Sequence, residues 1–77
     1  MIFVNVKGPV GREIFASGNY DASLGTAPVT IPRQAGTHTF EAVQDDLVDY
    51  RGKVENVADG MNVDLTLRPV RPPEPTS

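Results

Sequence analysis

The sequence predicts an all-β domain: a small antiparallel β-sandwich of about six to seven short strands with an extended Pro-rich C-terminal arm. Three observations predict it. Apolar and polar residues alternate in short runs, the period of a half-buried strand. Gly, Pro, Asn and Asp punctuate those runs at intervals of about 8–12 residues. No window of about a dozen residues repeats apolar side chains at i, i+3, i+4 and i+7 between caps, so helix signals are nearly absent.

Each element follows in order. MIFVNV places Ile2, Val4 and Val6 on one face. KGPVG is a turn. REIFA puts Ile14 and Ala16 on one face, with Glu13 and Phe15 on the other. SGNYDASLGTA is a polar, Gly-rich connection. PVTIP is a short strand bracketed by Pro28 and Pro32, and proline cannot donate to a ladder, so this strand sits at a sheet edge or is very short. The N-terminal strand is expected at an edge as well, where another chain can pair with it. RQAG turns the chain into THTFEAV, with His38, Phe40 and Ala42 on one face and Thr37, Thr39, Glu41 and Val43 on the other. QDDLVD is a loop. YRGKVENV is a strand whose apolar parity breaks between Val54 and Val57, which predicts a β-bulge. ADG is a tight turn with Gly60 suited to positive φ. MNVDLTL closes the set, with Met61, Val63, Leu65 and Leu67 facing inward. The tail RPVRPPEPTS is rich in proline and reads as extended polyproline II. The division is therefore a sandwich domain over residues 1–68 and an arm over 69–77.

Size and charge limit the function classes. A chain of 77 residues is one domain. It buries only about 60% of its unfolded surface, so it leans on a well-packed core or on a partner. It has no cysteine, hence no disulfide and no thiolate metal site. The net charge is −3, and its basic residues (Lys7, Arg12, Arg33, Arg51, Lys53, Arg68 and Arg71) form no run, which argues against nucleic acid. No apolar stretch approaches the roughly 20 residues of a membrane span. The opening MIFVNV lacks a basic leader region, so the chain is expected to be cytoplasmically made.

GREIFASG at 11–18, LGTAPVTIP at 24–32, AGTHTFEAV at 35–43 and DGMNVDLTL at 59–67 together resemble the PEGA domain family. The matching features are Gly11 and Gly18 around the first segment, Gly25, Thr26 and Pro28 in the second, Gly36 and His38 in the third, and Gly60 to Leu67 in the last. The resemblance covers residues 1–68. It implies a small prealbumin-like or Ig-like sandwich used as an add-on module in envelope, surface and regulatory proteins, with no catalytic residues.

Chemistry-bearing constellations are sparse. His38 is the single histidine and has no cysteine or second histidine beside it. It reads as a half-buried residue bonded to a nearby carbonyl rather than as a base or metal ligand. Asp45, Asp46 and Asp49 form the densest acidic cluster but lack the spacing of a calcium loop, so they read as a solvated loop. Tyr20 sits in a polar loop, either as a contact residue for a protein or a sugar, or lying back across the end of the sandwich. Phe3 and Phe15 fall opposite the core faces of their strands: on neighbouring strands they form an apolar patch for a partner or another subunit, or a register shifted by one residue turns both inward. The tail offers Arg68, Pro69, Arg71, Pro72, Pro73 and Pro75 for partner binding, as a docking arm or linker.

The expected function is thus a non-enzymatic structural or interaction module. It binds a protein partner, or copies of itself, in a larger assembly such as a virion, as a decoration or attachment subunit. The alternatives are a carbohydrate or envelope-polymer binding module using Tyr20 and the acidic loop near Asp45, and a domain excised from a longer envelope or regulatory protein. No cofactor or metal is expected.

Overall fold

A computed structural model describes residues 1–70. Among the described residues there are eight strands: β1 (Ile2–Gly8), β2 (Glu13–Ala16), β3 (Gly25–Thr26), β4 (Val29–Arg33), β5 (Gly36–Gln44), β6 (Leu47–Val57), β7 (Asn62–Thr66) and β8 (Arg68–Pro69). They form two sheets, β4-β1-β7 and β3-β2-β5-β6-β8. The all-β expectation holds, and the two sheets close over one core in the manner of a small sandwich. Arg71, Pro72, Pro73 and Pro75 lie outside the described residues.

The core follows from the alternation. Ile2, Val4 and Val6 of β1 and Ile31 of β4 meet Ile14 of β2, Phe40 and Ala42 of β5, and Val54 and Val57 of β6, all buried. Ala27 and Leu67 complete the cluster, and Leu24, Val29, Tyr50, Val63 and Leu65 pack against its margins. Gly52 is required here: a Cβ at that position would come within 2.6 Å of the Leu67 side chain and 3.0 Å of Leu65. The missing side chain lets the two leucines seal the side of the sandwich where β6 lies beside β7.

The predicted bulge is present. Gly36 pairs with Val57 and His38 with Val54, so β6 carries one extra residue between them, and Asn56 takes a φ of 52°. The bulge allows Val54 and Val57, three apart, both to face the core. Gly60 has a φ of 86° in the predicted turn.

Several expectations are corrected. The sheets are not wholly antiparallel, because β1 runs parallel to β7, with Val4 opposite Val63 and Val6 opposite Leu65. β1 is consequently the centre of its sheet, flanked by β4 and β7, and not an edge. β4, flanked by its prolines, is an edge strand of that sheet. QDDLVD is not a loop: Gln44 pairs with Leu47, and Asp45 and Asp46, with φ of 52° and 62°, make a two-residue hairpin turn. Positive φ at both central residues matches the right-handed twist of the flanking strands, and Asp tolerates it better than most side chains. The polar connection after β2 contains β3, which pairs with β2 through Thr26 and Gly25. Met61 is exposed rather than inward, because its amide is tied to the Ala58 carbonyl at 3.1 Å in the turn that precedes β7.

Candidate functional site on the outer face of the five-stranded sheet

Register across β2, β5, β6 and β8 aligns one row of side chains. Phe15 lies opposite Glu41, Glu41 opposite Arg51, and Arg51 opposite Arg68. Neighbours of Glu41 along β5, Phe40 and Ala42, point into the core, so the period of two aims Glu41 outward. Yet Glu41 is only 1% exposed. The loop after β2 explains this. Gly18 has a φ of 83°, and the Asn19 amide bonds the Ala16 carbonyl at 2.9 Å, so the chain reverses. That reversal brings Tyr20 back over the sheet, edge-on to Phe15 with ring centroids 6.3 Å apart.

A buried carboxylate is costly unless donors surround it. Here the Tyr20 hydroxyl donates to Oε1 of Glu41, and Nε of Arg51 donates to Oε2 at 2.6 Å. Burial pushes the Glu41 carboxyl up. Hydrogen bonds from Tyr20 and Arg51, the charge of Arg51 and the Ser17 hydroxyl outweigh it and hold the group below its ordinary value of 4.5. A carboxylate so held stays ionised at neutral pH and is a weak base. It anchors its donors rather than moving protons, since a general base works best with a pKa near the operating pH. Arg51 is half exposed and Tyr20 is 44% exposed, so each offers its outer side to solvent while its polar end is fixed.

Arg51 also borders an open groove of about 330 Å³ lined by Gly52, Lys53, Arg68, Pro69 and Val70. Beside it, a register shift between Ala42 and Val43 leaves Asp49 as the extra residue of β6. Asp49 receives Arg12 at 2.9 Å, and its carbonyl accepts the Val70 amide at 3.0 Å. The Arg12 guanidinium lies 5.7 Å from the Tyr50 ring centre. This pair ties the β1–β2 turn to β6 and to the strand that carries Arg68.

The residues singled out from the sequence fall in different places. Tyr20 and Phe15 are in contact on this face, Arg68 shares the face with β5 and β6 between it and Phe15, and Pro69 borders the groove. Phe3 does not join them: it lies on the outside of the other sheet, opposite Pro32 and Asn62, so no Phe3–Phe15 patch exists. Tyr20 lies back across the sheet with its hydroxyl engaged, and Asp45 and Asp46 occupy the hairpin turn while Asp49 faces Arg12. His38 is half-buried near Phe40 and bonds the Gln34 carbonyl at 2.7 Å, as expected. Glu41, Arg51 and Lys53 were not singled out. The available signal was Arg51 and Lys53, two apart in one strand and therefore on one face. Glu41 gave none, since its partner Tyr20 lies 21 residues earlier. Comparison with protein-family models, with curated proteins and with solved structures finds no match.

Proposed function

We propose that the chain is a non-enzymatic interaction module that docks on a protein partner in a larger assembly, through the outer face of its five-stranded sheet. The observation that carries this reading is the tethering of Tyr20 and Arg51 to one buried carboxylate. Tyrosine and arginine are enriched among residues that dominate binding energy. Fixing them before binding reduces the rotamer entropy lost on association. An ion pair so placed contributes little to stability relative to an apolar filling. A PEGA-like identity belongs to the same proposal. The segments that carry the resemblance fall on β2, on β3 and β4, on β5 and on β7.

A photo-crosslinking residue tests it, placed at position 20 in one variant and at position 7 in another. Lys7 is exposed on β1, in the other sheet. In extracts of cells that make the chain, one discrete heavier species formed from position 20 and not from position 7 supports the docking face. Equal capture from both positions, or none from either, overturns it.

A further inference from the structure

The charge on this face is not balanced by the residues around it. Arg51 and Arg68 stand directly opposite each other on β6 and β8. Like charges in that position destabilise a sheet. Lys53 is two residues further along β6, on the same face, and all three cations line the one groove. Three of the chain's seven Lys and Arg therefore converge in a protein of net charge −3. Glu41 engages Arg51 through Nε alone. Lys53 meets Glu55 at 3.1 Å, with both side chains more than half exposed, a pair that contributes little. Among the described residues Arg68 has no ion pair.

We propose that this groove is a binding site for an oxyanion, a carboxylate or phosphate group carried on a small apolar body. The bond from Nε to Glu41 fixes the plane of the Arg51 guanidinium and leaves its terminal nitrogens as a fork, the geometry that matches planar and tetrahedral oxyanions. Arg68 supplies a second guanidinium across the strand pair, and Lys53 a point charge beside them. An anion between Arg51 and Arg68 converts their repulsion into attraction. Pro69 and Val70 give the groove an apolar rim for the ligand's carbon atoms. The inference rests on charge and register, and it holds whether or not a protein docks on Tyr20.

The test is a titration of the full chain with glutarate and, separately, with inorganic phosphate at constant ionic strength, read from amide chemical shifts. Saturable shifts at Gly52, Lys53, Arg68 and Val70 are expected, with binding about tenfold weaker in Arg68→Gln and unchanged in Lys7→Gln. Saturation by glutarate alone assigns a carboxylate ligand, by phosphate alone a phosphate ligand, and by both the shared chemistry. No saturable response to either anion, or an unaltered response in Arg68→Gln, overturns the site. The thermal midpoint provides a second reading. In buffer free of both anions Arg68→Gln should melt no lower than the unsubstituted chain, because the facing charges are relieved. A clear drop would show that Arg68 is already neutralised and would overturn the premise.

Discussion

The outer faces of the two sheets carry the same device with opposite results. On the three-stranded sheet, Thr30, Asn5 and Asp64 line up across β4, β1 and β7. The Thr30 hydroxyl donates to Oδ1 of Asn5 at 2.7 Å, and Nδ2 of Asn5 donates to Asp64 at 3.1 Å. On the five-stranded sheet, Phe15, Glu41 and Arg51 line up across β2, β5 and β6. The first row stays in contact with water. The second is covered by Tyr20 and Phe15, and its carboxylate is buried. A polar row on a sheet is therefore near neutral for stability when solvent competes for its hydrogen bonds, and a strong constraint when a loop shuts solvent out.

Substitutions can break this comparison. Glu41→Ala should have the largest effect, a loss of about 2–3 kcal/mol in urea unfolding, because it empties a buried position and removes the acceptor of two donors. Tyr20→Phe should follow at about 1.5 kcal/mol, since it keeps the ring over Phe15 but deletes a hydrogen bond to a charged group. Acid gives a graded version of the same loss. The Glu41 carboxyl is lowered in the folded chain, so its contribution is fully present above the ordinary value of 4.5 and disappears as pH falls through the lower folded value. Stability measured against pH should decline in that window in the unsubstituted chain, and this part of the decline should be missing from Glu41→Gln. The smallest effect belongs to the other sheet: Asn5→Ala should change stability by less than about 0.5 kcal/mol. A loss there as large as that of Glu41→Ala would show that the two rows do not differ in the way their burial indicates.

Sequence periodicity located most of the fold for a local reason. Alternation in β1 and the displaced parity of Val54 and Val57 are properties of a single strand, so they are written within a few residues. The edge position of β4 is local too, because Pro28 and Pro32 flank it. The centrality of β1 is not local, since it depends on β7 arriving from the far end of the chain. Met61 departs from the inward set because the period of two ends where β7 begins, at Asn62, and Met61 belongs to the turn before it. The two-residue turn at Asp45 and Asp46 was missed because glycine, its usual mark, is absent. The candidate site was less legible. Tyr20 and Arg68 stood out as residues, but what joins them is Glu41 and Arg51, whose burial and pairing come from register and from a loop that folds over the sheet.

The parallel pairing of β1 with β7 also bears on how the chain reaches this structure. Asn5 and Asp64, joined side by side, are 59 residues apart in sequence. Contacts of that separation cost loop-closure entropy before they return any stabilisation, and such topologies fold in the range of milliseconds to seconds rather than microseconds. The β5–β6 hairpin, closed by two residues, joins partners that are near in sequence. The three-stranded sheet does not: during synthesis the β4 partner of β1 is present once residue 33 has emerged, and its β7 partner only with residues 62–66. Over that interval its free edge is the place where a second nascent chain would pair, and the rate at which β7 arrives sets how long that hazard lasts.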